Sequence, residues 1–284
     1  MSKNYRSQLV GVFGYPVDEN PTGVIEEAAF AAKKLDFRYI TMLVEPTGLA
    51  GAMAGLRAMH FRGVNLTIPH KVEVLKYLDE LSPAAKIIGA VNTVVAKEGK
   101  LWGDNTDGKG FLASLVDEGV AVAGKKVALL GAGGAARAIG VELALAGAAV
   151  VRVVNRDPGR GEDLVGVISR ETPAKGEYIP WRGTAAIPGD SDIVVNATPV
   201  GLYPKVDDRP DIDYSWFSSA RVVADVVFND PNTLFLQAAA ERGAKCINGL
   251  GMLVNQGAVN FTLWTGVEAP KDVMTQALKR EFGL

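Results

Sequence analysis

Lys126-Val127-Ala128-Leu129-Leu130-Gly131-Ala132-Gly133-Gly134-Ala135-Ala136 decides the fold of this chain. The apolar run 126–130 predicts a buried strand, the glycine cluster a turn, and the alanine-rich spacing beyond it a helix from about residue 135 to 146. A strand, a glycine turn and a helix opening in that order form the context of a dinucleotide-binding turn. Gly131 permits the tight turn and Gly133 lets backbone N–H groups approach a pyrophosphate. The small Ala136 lets helix and strand pack closely while the helix N-terminus faces the anion. The plain alternative is a glycine-rich connection with no ligand.

Working outward, 150–154 and 193–196 read as further strands of the same sheet. Upstream, strands at 9–13, 39–44 and 63–67 alternate with helical spacing at 24–35 and 49–59, a pattern that predicts a mainly parallel sheet covered by helices. At residues 103–110, Gly-Asp-Asn-Thr-Asp-Gly-Lys-Gly replaces apolar periodicity with small polar residues and glycine, which marks a domain junction. A helix is expected at 111–118 after it. Two last helices, 255–266 and 271–282, are expected to return to the first domain. The fold class is therefore α/β, with an N-terminal α/β domain at 1–107, a dinucleotide-binding domain at 108–247 and C-terminal helices at 248–284.

The 284 residues are 48% hydrophobic and 22% charged, enough apolar content for a sizeable core and too much for disorder. Thirty Lys and Arg against 32 Asp and Glu leave a net charge of −2, so no excess positive field exists to hold nucleic acid. With one cysteine, Cys246, and two histidines, His60 and His70, neither an internal disulfide nor an all-protein zinc site is expected. The opening Met1-Ser2-Lys3-Asn4-Tyr5-Arg6 lacks an apolar signal stretch, and Arg137, Glu142 and Arg152 interrupt later apolar runs before they could span a bilayer. The expectation is a cytoplasmic protein, monomer or homodimer, with a small-molecule substrate and neither nucleic acid nor membrane as partner.

Cofactor choice belongs to the end of the strand after the glycine turn. That strand ends Val153-Val154-Asn155-Arg156, where Arg156 and Arg160 suit the 2′-phosphate of NADP. Asp157 lies between them, repels a phosphate and can accept from a ribose hydroxyl, which keeps NAD open. The two arginines also fit ordinary solvated charges at a helix start.

A second motif, Asn65-Leu66-Thr67-Ile68-Pro69-His70-Lys71, places an amide, a hydroxyl and an amine at a strand end, where α/β proteins bind ligands. Asp107 supplies a carboxylate from the junction. A lysine paired with an aspartate can move a proton at an alcohol or ketone oxygen while a nicotinamide exchanges hydride. Taken alone, Lys71 reads as a solvated lysine.

With these residues in view, the sequence resembles the shikimate/quinate dehydrogenase family over nearly its whole length. The motifs that carry the resemblance begin with Gly14-Tyr15-Pro16, Ala28-Ala29-Phe30, the Asn65 to Lys71 stretch, Gly89-Ala90-Val91-Asn92-Thr93 and Asp104-Asn105-Thr106-Asp107-Gly108. Next come the glycine turn, Asn155-Arg156, Asn196-Ala197-Thr198-Pro199-Val200-Gly201 and Gly249-Leu250-Gly251-Met252-Leu253-Val254-Asn255-Gln256. The resemblance implies a substrate domain followed by a Rossmann-type nicotinamide-binding domain. It implies an oxidoreductase moving hydride between NADP(H) or NAD(H) and a ring hydroxyl of shikimate, quinate or a related cyclic polyol. In this reading Lys71 is the proton donor and acceptor, Asp107 orients it and the hydroxyl, and Thr67, Asn92 and Gln256 hold other ring hydroxyls. Gly131, Ala132, Gly133, Gly134 and Ala135 match the phosphate site. Asn155, Arg156, Asp157 and Arg160 match the adenosine site, and Thr198, Val226 and Gly249 also belong to the cofactor side. His70 is read as structural. The alternative is a dinucleotide-binding regulatory pseudoenzyme, against which the intact Lys71 and Asp107 argue.

Four positions depart from the family pattern. Asn20 and Thr22 stand where two hydroxyl residues normally donate to a substrate carboxylate. Glu26 replaces a frequent histidine and, with Glu27, brings negative charge, although charged helix residues ordinarily face water. Phe228 replaces a tyrosine, and losing one hydrogen bond to a carboxylate costs ~1.5–3 kcal/mol. Redox chemistry is therefore expected to be kept while recognition of the carboxylate end has drifted.

Overall fold

The computed structural model describes residues 5–284; residues 1–4, the start of the segment read above as lacking a signal stretch, lie outside the described residues. Two compact units emerge, the first running to Thr106 and resuming at Gln256–Leu284, the second spanning Asp107–Asn255. No helix among the described residues is long and apolar enough to cross a membrane.

The first unit contains β1 (Gln8–Gly14), α1 (Thr22–Ala32), β2 (Phe37–Leu43), α2 (Leu49–Ala58), β3 (Gly63–Leu66), the single turn α3 (His70–Glu73), β4 (Glu80–Leu81), α4 (Pro83–Ile88), β5 (Thr93–Lys97) and β6 (Lys100–Asp104). Its sheet runs β2-β1-β3-β5-β6-β4. β1 pairs parallel with β2 and β3, but β5 is antiparallel to β3 and β6. β4 pairs parallel with β6, so five of the six strands run the same way, as expected of a mainly parallel sheet, and β5 alone runs against them. The difference comes from Glu98-Gly99, whose φ values of +53° and +78° make a two-residue hairpin that pairs β5 directly with β6. Val10, Val12, Val64 and Leu66 are buried in β1 and β3, as expected for strands covered on both faces.

The second unit takes in α5 (Thr106–Asp117), β7 (Lys126–Leu130), α6 (Gly134–Leu145), β8 (Val150–Asn155), α7 (Pro158–Glu171), β9 (Lys175–Pro180), β10 (Ile193–Asn196), β11 (Val222–Asp225), α8 (Leu234–Ala240) and β12 (Lys245–Ile247). All five strand pairings are parallel, in the order β12-β11-β10-β7-β8-β9. The winding direction reverses between β7 and β10, so the carboxyl ends of these two strands flank the crevice where such sheets bind nucleotides. α9 (Gly249–Thr265) then carries the chain back to the first unit, where α10 (Lys271–Glu281) ends it.

Residues 103–110, read as a domain junction, contain the boundary between the two units and are regular in structure. Gly103 belongs to β6, and α5 begins at Thr106, so Asp107 sits in the first turn of a helix rather than on a loop. Glycine at 108 serves close packing: a Cβ there would come 2.3 Å from the carbonyl oxygen of Ala138 on α6. The last return is also longer than expected. α9 starts at Gly249 rather than residue 255, and its first residue is a glycine that lies so near the Val227 carbonyl that a Cβ would sit 2.3 Å from it.

Candidate active site

In the second unit the glycine turn is built for an anion. Gly131 has φ +103°, and a Cβ would meet Thr198 Cγ2 at 3.0 Å and the Ala197 carbonyl at 3.1 Å, so no other residue fits. Gly133 caps the 12-residue α6 without any side-chain hydrogen bond, and a Cβ on Gly133 or Gly134 would meet nothing within 4 Å. The first N–H groups of α6, with Ala132 and Ala135 beside these glycines, therefore open onto free space suited to a phosphate.

Across the switch point, Asn196 accepts from both the Thr198 hydroxyl (2.6 Å) and its N–H (3.1 Å), and donates to Asp225 (3.0 Å). Asp225 also accepts from the Val227 N–H at 3.1 Å and the Thr233 hydroxyl at 2.7 Å. Burial nevertheless pushes its carboxyl up to about 6. Val226 follows Asp225 directly, and its N–H donates to the Asn196 carbonyl at 3.1 Å.

At the end of β8, Arg156 stacks on Trp181, its guanidinium carbon 5.2 Å from the ring centre. Asp157 caps α7: its Oδ1 accepts from the Arg160 N–H at 3.2 Å, and Oδ2 lies 3.8 Å from Arg160 Nε. The Asn155 side chain donates to the Asp157 carbonyl at 2.8 Å, which completes the turn. Asp157 thus has a structural partner at a helix start, while Arg156 is the cation displayed beyond β8. These residues fit a bound dinucleotide, and Arg156 suits one that carries a 2′-phosphate.

In the first unit, Thr67 and Lys71 follow β3. The Lys71 carbonyl accepts from the Val91 N–H at 2.7 Å, which ties the lysine backbone to the residue before Asn92. His70 is buried, its Nε2 2.7 Å from the Val44 carbonyl; since that oxygen only accepts, Nε2 carries the proton and His70 acts as a structural peg. Lys71 is half-buried beside it.

A buried polar network connects two of the substrate candidates of this unit, Asn92 and Gln256. Asn92 accepts from the Thr106 N–H (2.7 Å) and donates to the Thr106 hydroxyl (3.0 Å). Both Thr106 and Thr93 donate to Asn260 Oδ1, at 2.8 and 2.7 Å, and Asn260 donates to Gln256 Oε1 at 3.0 Å. Asn65 donates to the Asn92 carbonyl and to Thr93, and accepts from the Tyr39 hydroxyl at 2.9 Å. Asn20 Oδ1 accepts from the Thr22 N–H at 3.0 Å. Asn260 lies four residues after Gln256 on one helix face, a spacing that the sequence displays. Tyr39 and Trp181 had no such signal, since each reads as an ordinary strand aromatic.

Glu26 overturns the expectation of a solvated charge. It is fully buried, and neither carboxylate oxygen has a hydrogen-bond partner. Burial first and the charge of Glu27 second push its carboxyl well above the usual range. Glu27 instead accepts from the Tyr39 N–H of β2 at 2.5 Å. The structure thus brings Asn20, Thr22, Thr67, Lys71, Asn92 and Gln256 into one unit, whereas Asp107, Phe228 and the cofactor candidates belong to the other.

Comparison with known proteins agrees with this layout. Residues 12–94 match the shikimate dehydrogenase substrate binding domain, and residues 249–279 the shikimate 5′-dehydrogenase C-terminal domain. A shikimate dehydrogenase (NADP(+)) of Desulforamulus reducens is 42% identical over 98% of this chain and 97% of its own. The ligand-free 5-ketofructose reductase of Gluconobacter sp. strain CHM43 superposes with a TM-score of 0.94 at 46% identity, covering 98% of this chain and 100% of that one. Shikimate 5-dehydrogenase of Listeria monocytogenes, solved with shikimate and NAD, gives 0.91 at 34% identity, covering 97% and 98%. The chain belongs to the shikimate dehydrogenase family.

Proposed function

We propose that this protein is an NADP-preferring dehydrogenase that interconverts a secondary alcohol and a ketone on a polyhydroxylated ring. The observation that carries the reading is the placement of Lys71, half-buried after β3 on a backbone pinned by Val91 and His70, in the same unit as the Asn92–Thr106–Asn260–Gln256 network. The nicotinamide supplies or accepts the hydride when bound. Lys71 gives its ammonium proton to the ketone oxygen during reduction and takes it back from the hydroxyl during oxidation. Asp107 orients Lys71 and the reacting hydroxyl. Thr67, Asn92 and Gln256 fix the other ring hydroxyls, each needing a stated donor or acceptor. Gly131, Gly133 and Gly134 supply the pyrophosphate cradle, and Arg156 the charge that prefers NADP to NAD. A cytoplasmic monomer or homodimer suits this chemistry and the single cysteine.

Two substrate names come from the relatives. Shikimate is that of the curated dehydrogenases, and 5-ketofructose, a keto sugar without a carboxylate, is that of the Gluconobacter enzyme. The second is favoured by the position of Glu26, buried and unpartnered on the helix that Thr22 opens. Steady-state turnover of shikimate, quinate and 5-ketofructose with each nicotinamide tests the proposal. Turnover of at least one ring with NADP(H) is expected; hydride transfer with none of them, while NADPH still binds, would sink the dehydrogenase reading in favour of a dinucleotide-binding regulator.

A further inference from the structure

The direction of each hydrogen bond at the carboxyl end of β10 follows from Asn196. Its Oδ1 lies 3.1 Å from the Thr198 backbone nitrogen, which can only donate. Its Nδ2 lies 3.2 Å from the Val200 carbonyl, which can only accept, and 3.0 Å from Asp225 Oδ1, which already accepts from the Val227 N–H. The amide therefore has one orientation. The Thr198 hydroxyl, 2.6 Å from Oδ1, places its proton there, because an amide oxygen only accepts. The Val200 N–H occupies one lone pair of Thr198 Oγ1 at 3.2 Å. What Thr198 has left to offer is its second lone pair.

Asn196 and Asp225 are fully buried, whereas Thr198 is half-buried. The Thr198 methyl borders the glycine turn, since a Cβ on Gly131 would meet Cγ2 at 3.0 Å. Sheet order sets Thr198, the glycine turn and Arg156 in a row: β10, β7 and β8 are neighbours, and these residues follow their carboxyl ends in that order. With Arg156 at the adenosine 2′-phosphate and the glycine turn at the pyrophosphate, the part of a dinucleotide that comes next, over β10, is the nicotinamide nucleoside. A phosphate oxygen only accepts and finds no donor on Thr198. The nicotinamide nucleoside carries donors, in its ribose hydroxyls and its carboxamide N–H groups.

We propose that Thr198 Oγ1 accepts a hydrogen bond from the nicotinamide nucleoside of the bound dinucleotide, and that Asn196 and Asp225 hold it to that sense. This inference rests on the functional reading above, in which the glycine turn cradles the pyrophosphate. Asn196 and Asp225 are positioning residues: Asp225 fixes the amide of Asn196, whose oxygen claims the Thr198 proton. The donor is a ribose hydroxyl or the carboxamide N–H, the same chemistry from two places on one nucleoside.

The test measures binding by calorimetry, without turnover, for three ligands. They are NADP, adenosine 2′-phosphate 5′-diphosphate, which stops at the pyrophosphate, and the NADP analogue with acetyl in place of the carboxamide. Thr198→Val is expected to weaken NADP by about three- to tenfold, the scale of one neutral hydrogen bond, and to leave the diphosphate within about twofold. Thr198→Ser keeps the oxygen and is expected to bind both as the wild type does. Asn196→Ala releases the Thr198 proton and is expected to weaken NADP alone; combined with Thr198→Val it should add little, because both losses pass through one oxygen. Asp225→Ala should resemble Asn196→Ala, whereas Asp225→Asn keeps an acceptor for the Asn196 amide and should bind like the wild type. Thermal melting checks folding, and the half-buried Thr198→Val decides the acceptor role if a buried variant unfolds. A loss in Thr198→Val that vanishes with the acetyl analogue upholds the inference and assigns the carboxamide; one that persists upholds it and assigns the ribose. Unchanged NADP affinity in Thr198→Val, or an equal loss for the diphosphate, would overturn the inference and leave the dehydrogenase reading standing. Additive losses in the double variant would overturn the positioning role of Asn196 and Asp225. Binding of neither NADP nor the diphosphate by the wild-type protein would overturn the dinucleotide reading itself.

Discussion

The guanidinium of Arg156 rests over the indole of Trp181, 5.2 Å from the ring centre, and the Trp181 backbone N–H donates to the Asn155 carbonyl at 3.0 Å. The strand end that bears Arg156 and the aromatic surface beneath it are thereby fixed together. Arg156→Ala is expected to raise the KM for NADP by about 10- to 100-fold, the loss of one charge-assisted phosphate contact, while the KM for NAD stays within about twofold. Asp157→Ser keeps a capping oxygen on α7 and removes the negative charge, so it should lower the KM for NADP. Initial rates with both cofactors check the pair. Equal losses for NADP and NAD in Arg156→Ala would remove the arginine from cofactor choice.

Lys71 and the glycine turn lie in different units, so the proposed mechanism assigns proton transfer to one unit and cofactor binding to the other. Lys71→Ala is expected to lower kcat by about 10²–10⁴, the usual worth of a positioned acid or base, with NADPH affinity unchanged by fluorescence titration. Retention of kcat within a few fold would exclude Lys71 from the chemistry.

Asp225 makes the second unit sensitive to pH. Its folded carboxyl titrates at about 6 against an ordinary 3.8, burial being the main cause. Because the folded value is the higher one, its contribution is full below pH 3.8 and is lost as pH rises through 6, a span of about 3 kcal/mol. Urea denaturation at pH 5 and pH 7.5 should show Asp225→Asn with a flatter pH dependence than the wild type. An unchanged slope would mean that Asp225 does not titrate in this range.

Glu26 acts with the same sign. Its carboxyl is held above the usual range by burial and by Glu27, so the stability it contributes at acid pH is lost as it ionises. Gln at this position mimics the neutral acid at every pH. Glu26→Gln is therefore expected to melt at a higher temperature than the wild type at pH 8 and at a similar temperature at pH 4, as followed by circular dichroism.

Much of the second unit was legible from local sequence. The strand, glycine turn and helix that follow Lys126 declare themselves through apolar runs and a backbone requirement that only glycine meets. The β5–β6 hairpin was harder to see, because its strands are short and its turn, Glu98-Gly99, lacks the usual Asn-Gly signal. Glycines mislead in the opposite way at 103–110 and 249–251. There they permit close approach inside strands and helices, a tertiary cause that no local pattern reveals. Lys71, Asn92 and Gln256 could be nominated through motif resemblance. Burial of Glu26 and the seat of Arg156 on Trp181 depend on partners from distant segments and needed coordinates.

α9 brings the last element of the order of synthesis into the first unit. Asn260 receives the hydroxyls of Thr93 and Thr106, Trp264 donates to the Val94 carbonyl at 3.0 Å, and Phe261 stacks on Phe30. As the polypeptide leaves the ribosome, residues 5–106 emerge early, yet these groups wait for partners encoded some 150 codons downstream, after the entire second unit has been translated. The nascent N-terminal segment must therefore stand incomplete while its neighbour is made, and a premature stop before Asn260 leaves it permanently short of those partners.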